Sequence, residues 1–66
     1  MNKEVLDKRI NAMVSYGVFK KEDIKNIYIT ENGKTAYVQL KNNEWYSLAM
    51  HQVNPNDSMS VIMEWS

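Results

Sequence analysis

The sequence predicts an α+β fold, an N-terminal amphipathic helix packed on a four-stranded antiparallel β-meander in order 1-2-3-4. Three observations predict it. Apolar residues recur at helical spacing over residues 3 to 16, strand-like runs follow one another from Ile24 onward, and Asn32-Gly33 separates two runs that mirror each other residue by residue.

The helix comes first. At 100° per residue, Leu6, Ile10, Met13 and Val14 fall within one arc of about 100°, whereas Asp7, Lys8, Asn11 and Ala12 lie outside it. Asn2 is a candidate N-cap and Gly17 is placed to end the helix. Glu4 and Lys8 make an exposed i, i+4 pair. Val18 to Asp23 reads as a charged connection in which Val18 and Phe19 tuck under the sheet.

The strands are expected at Ile24 to Thr30, Thr35 to Leu40, Trp45 to Gln52 and Met59 to Trp65. Asn-Gly is the preferred pair for a two-residue type I′ turn, because both central residues need positive φ. Such a turn sets Glu31 opposite Lys34, Thr30 opposite Thr35, Ile29 opposite Ala36, Tyr28 opposite Tyr37 and Ile27 opposite Val38. Each pair is chemically matched, and such pairs contribute about 0.2–1 kcal/mol apiece relative to alanine. At the other end of the chain, Asn54-Pro55-Asn56-Asp57 is a turn cluster expected to join the last two strands, aligning Met50 with Val61, Leu48 with Met63 and Tyr46 with Trp65.

The turn around Asn42-Asn43 leaves two registers open, and a one-residue slip exchanges the faces of a strand. A two-residue turn pairs Lys41 with Glu44 and makes both faces substantially apolar. A three-residue connection or a bulge instead sets Leu40 near Tyr46 and Val38 near Leu48. It collects Ile27, Ile29, Val38, Leu40, Leu48, Met50, Val61 and Met63 under the helix. The second is preferred, because burial is worth of order 25 cal/mol per Å² and outweighs one exposed ion pair. Its open face carries Tyr28, Tyr37 and Trp45 with Thr30, Thr35, Gln39, Ser47, Ala49, Ile62 and Glu64.

Size and composition bound the function. A chain of 66 residues makes one domain, 1–66, and buries only roughly 60% of its unfolded surface. With no cysteine it has neither a disulfide framework nor a thiolate nucleophile, so packing or self-association must supply stability. No apolar stretch is long enough for a membrane span or a signal-peptide core, and the cytoplasm is the expected location. Eight basic residues offset eight acidic ones and are interspersed with them, which weighs against a phosphate-backbone binder. Abundant lysine and asparagine fit an AT-rich coding sequence, as in a low-GC bacterium, plasmid or phage.

Chemistry is hard to place on this sequence. His51 is the only histidine and has no second histidine or cysteine to share a metal, so no metal site or cofactor is expected. Its expected cross-strand neighbour, Ser60, would give a weak dyad on an open sheet, without a water-excluding pocket. The carboxylates read as solvated surface charge, and with only Gly17 and Gly33 there is no phosphate loop. The expectation is therefore a non-enzymatic protein-binding or regulatory module, a homodimer with a further protein partner. A small phage accessory protein that modulates a host protein would fit. Tyr28, Tyr37, Trp45 and Ile62 are the expected contact face, and Trp65 the contact on an apolar C-terminal edge strand. The alternative is single-stranded nucleic-acid binding, with bases stacked on the sheet aromatics beside Lys20, Lys21, Lys25 and Lys34.

Overall fold

Helix α1, Lys3–Ser15, forms on the periodicity of its apolar face and buries Leu6, Ile10 and Met13. The chain then leaves the helix through a Schellman arrangement. Gly17 N–H donates to the Val14 carbonyl and Val18 N–H to the Met13 carbonyl, both at 3.0 Å. Gly17 has φ of 81°, and a Cβ there would meet nothing within 4 Å, so conformation and not space demands glycine. Val18 packs against the core and Phe19 is buried in it, as the sequence suggests.

The computed structural model describes residues 3–31, 33–56 and 59–64, and the last strand beyond Met59 by its backbone alone. Asn2, Asn32, Asp57 and Trp65, which carry the expected N-cap, hairpin tip, turn and edge contact, lie outside the described residues. After a 3₁₀ turn at Lys21–Asp23 come β1 Ile24–Thr30, β2 Ala36–Leu40, β3 Trp45–Ser47, β4 Gln52–Val53 and β5 Met59–Glu64. The sheet is antiparallel at every described pairing.

The first hairpin has the expected register, Ile27 opposite Val38, Tyr28 opposite Tyr37 and Ile29 opposite Ala36. Its turn differs in detail. The tight bond runs from Gly33 N–H to the Thr30 carbonyl at 2.8 Å, one residue earlier than a turn centred on Asn32-Gly33. Thr30 compensates with its side chain, donating to the Thr35 carbonyl and accepting from Thr35 N–H at 3.2 and 3.3 Å. Thr30 is consequently only 4% exposed, where the sequence suggested an open-face residue. At the start of β1, a register shift between Ile24 and Asn26 makes Lys25 an extra residue. That bulge lets Ile24 and Ile27, three apart, both reach the core, which strict alternation forbids.

The second hairpin takes the three-residue connection. Leu40 N–H donates to the Glu44 carbonyl at 2.8 Å and Asn43 N–H to the Leu40 carbonyl at 2.9 Å, with Asn43 left-handed at φ of 70°. Val38 therefore faces Tyr46 directly, in place of the expected Leu48. For Ile27, Val38, Leu40 and Leu48 the faces nevertheless fall as the three-residue reading requires, whereas Ile29 is only half-buried and stands outside the core. Ile27, Val38, Leu40 and Leu48 are buried with Leu6, Ile10, Met13, Phe19, Ile24 and Ala36, and Tyr46 packs on this cluster.

The same turn geometry recurs seven residues later, where the sequence suggested an unbroken strand to Gln52. Met50 N–H donates to the Ser47 carbonyl at 3.1 Å, Ser47 N–H to the His51 carbonyl at 2.9 Å, and Met50 is left-handed at φ of 68°. Met50 is 38% exposed, not part of the core as expected. This turn redirects the chain so that β4 pairs with β3, Trp45 opposite Val53 and Tyr46 opposite Gln52. Strands β1 to β4 thus stand in the order 1-2-3-4, with Gln52–Val53 in fourth place.

The Met59–Trp65 segment was expected there, and its described part, Met59–Glu64, lies elsewhere. Since β4 already occupies the edge of β3, β5 pairs with the remaining edge, that of β1, giving the order β4-β3-β2-β1-β5. The expected alignments of Met50 with Val61 and Leu48 with Met63 give way to Ile27 opposite Met63, Tyr28 opposite Val61, Ile29 opposite Ser60 and Thr30 opposite Met59. A second register shift, between Ile27 and Tyr28, makes Ile62 the extra residue on β5.

Candidate interaction face

Alternation along β1, β2 and β3 places Tyr28, Tyr37, Gln39, Trp45 and Ser47 on the sheet face opposite α1. All five are half-buried. Tyr28 and Trp45 belong to strands separated by β2, yet their ring centroids approach to 5.0 Å at an interplanar angle of 45°. The rings close above the middle strand, and the Tyr28 hydroxyl donates to Gln39 Oε1 at 3.2 Å. Strands about 4.8 Å apart hold the backbones of β1 and β3 roughly 10 Å apart, so this contact fixes both side chains in one arrangement. The opposite face places Tyr46 against Phe19, edge to face at 5.5 Å and 67°.

Three of the expected contact residues are therefore brought together on one face. Ile62 and Trp65 are not among them, since the side chain of Ile62 and all of Trp65 lie outside the described residues. The face carries no charged residue among those named. The largest exposures among described apolar side chains are elsewhere, at Tyr16 (75%) beyond the helix end, Val5 on the helix and Met50 in the β3–β4 turn. Tyr16 and Val5 were legible as non-core positions, since both lie off the buried arc of the helix. Nothing local marks Met50.

The lysines of the alternative reading are all exposed but do not form one stripe. Lys20, Lys21 and Lys25 cluster where the chain enters β1, where Lys41 N–H also donates to the Asp23 carbonyl at 2.8 Å. Lys34 lies beyond the other end of β1, about 20 Å away at roughly 3.3 Å per residue. Glu22 and Asp23 are exposed within the first cluster. Near the second turn, Glu44 is held by its neighbours. Asn42 Nδ2 donates to Glu44 Oε1 at 2.7 Å, the Tyr46 hydroxyl donates to Oε2 at 3.4 Å, and Glu44 N–H donates to Asn42 Oδ1 at 3.0 Å.

The expected His51–Ser60 pair is not formed. His51 follows the β3–β4 turn, whereas Ser60 stands opposite Ile29 on β5, at the far edge of the sheet. Among the described residues, no group of three or more histidine, aspartate or glutamate side chains is arranged to hold a metal. No described helix is long and apolar enough to cross a membrane. Fold and face together describe a small α+β protein with an antiparallel sheet and an aromatic surface opposite its helix. Compared with known proteins, the chain matches no family model, no curated protein and no solved structure.

Proposed function

We propose that this chain acts without catalysis, as a small protein-binding module that regulates a larger partner through the face bearing Tyr28, Tyr37 and Trp45. The carrying observation is the Tyr28–Trp45 contact above Gln39, which holds aromatic side chains in place before any partner arrives. Rigid aromatic anchors dominate interface energetics because they bring large area at low entropic cost. None of the five described residues of this face is charged, which suits an uncharged protein surface better than a polyanion. Composition supports a phage or mobile-element accessory protein working in the cytoplasm, with Ile62 and Trp65 proposed as further contacts. The test is quantitative affinity capture from the native host with wild type and with Tyr37→Ser and Trp45→Ala, each checked for folding by circular dichroism. Loss of the same host protein from both variants supports the reading. Equal recovery by folded variants removes this face from consideration.

The second reading is single-stranded nucleic acid, favoured by the exposed Lys20, Lys21 and Lys25 at the start of the strand that carries Tyr28. Lys34, at the other end, would engage a longer strand. Phosphate contacts release counterions, so binding of a fluorescent oligonucleotide should weaken steeply as salt rises. A protein interface made of aromatic rings responds little to salt.

A further inference from the structure

We infer that the free edge of β5 pairs with β5 of a second copy, so that the sheet continues across a two-fold axis. This rests on the protein-binding reading above and names one partner for it. The described sheet ends in two edges of different character. On one side β4 is two residues long, preceded by a tight turn and followed after one residue by Pro55. Short strands and proline are devices that blunt an edge. On the other side β5 runs for six residues, Met59–Glu64, paired with β1 along one side only. Its sequence holds no lysine and no proline, and its only charge is Glu64 at the end. Successive residues of a strand aim their N–H and C=O groups to alternate sides, so the side of β5 away from β1 presents donors and acceptors.

A second copy fits this edge better than an unrelated strand. The formal net charge is zero, so two copies meet without long-range repulsion. With the axis between Val61 and Ile62, antiparallel pairing sets Val61 opposite Ile62, Ser60 opposite Met63, and Glu64 opposite Met59 of the second copy. That register uses every residue of β5 and keeps the two Glu64 carboxylates from facing each other, which would be unfavourable. The bulge at Ile62 adds twist, so the joined sheets coil across the axis and do not lie flat. For a chain this small, without disulfides, self-association is a recognised source of stability.

Ile62 is the residue left over in the β1 register, so replacing it disturbs that ladder least. Sedimentation of the full chain from micromolar to near-millimolar concentration should show a reversible dimer. Ile62→Lys and Ile62→Glu should each weaken it by roughly tenfold or more, while an equimolar mixture of the two restores association. In the wild type, amide exchange over residues 59–64 should slow with concentration while that of β4 does not. This readout needs no variant to fold. A monomer throughout the range overturns the inference, as does a dimer whose exchange protection falls outside β5. Neither result touches the Tyr37→Ser and Trp45→Ala comparison, so the aromatic face stands or falls separately.

Discussion

Two residues occupy the same backbone position in two copies of one turn, and only one of them suits it. Asn43 and Met50 each close a three-residue connection in the left-handed region, at φ of 70° and 68°. Asparagine tolerates that region, whereas for most residues it costs roughly 1–2 kcal/mol. Met50 is 38% exposed, so its side chain recovers little of that cost by packing. Met50→Asn should therefore stabilise the fold by about 0.5–1 kcal/mol, read as a rise in urea midpoint at unchanged slope. A lower midpoint would mean that the methionine side chain holds the β3–β4 turn through packing. Because nonglycine residues in this region cluster at functional sites, the same variant belongs in the capture assay.

Among the elements, the first hairpin depends on Thr30 more than on cross-strand matching alone. Its hydroxyl donates to the Thr35 carbonyl and accepts from the Thr35 N–H, in a site that is nearly closed to water. Thr30→Val keeps the shape and β-propensity but strands the Thr35 N–H, whereas the Thr35 carbonyl keeps the Thr30 N–H at 3.0 Å. The expected cost is about 1–3 kcal/mol in chemical denaturation, with Thr30→Ser recovering most of it. The strand pattern foretold the pairing of these threonines, because cross-strand chemistry is a short-range property. It did not foretell that Thr30 is buried, because nothing local reports how closely a hairpin end folds over its own hydroxyl.

For the molecule as a whole, the order of the sheet decides which contacts the C-terminal segment supports. With β5 against β1, removing residues 57–66 strips the neighbour from β1, which joins the helix-covered core through Ile24 and Ile27. A chain ending at Asn56 should lose cooperative unfolding by circular dichroism, because β1 is left paired on one side only. Had the last strand lain beside Trp45–Gln52, the same truncation would leave β1 and β2 intact and cost only an outer strand. Sharp, near-native unfolding of the truncated chain would contradict the β1–β5 pairing.

Local sequence alone dictates the α+β class, the helix with its buried Leu6, Ile10 and Met13, the register of the first hairpin and the sharing of one face by Tyr28 and Tyr37, whereas Trp45 joins that face only through the register of the second hairpin. Each follows from spacing within a few residues, from a helical period, from strand alternation or from a turn with the right residues in it. Tertiary structure decided the rest. The Leu48-Ala49-Met50 turn carries no glycine, proline, asparagine or aspartate, so no local signal announces it, and it diverts β4 onto the edge of β3. That diversion sends β5 to β1, separates His51 from Ser60 and exposes Met50. Which edge receives a distant strand depends on which edges remain open once the nearer strands have paired, and that is a property of the assembled sheet.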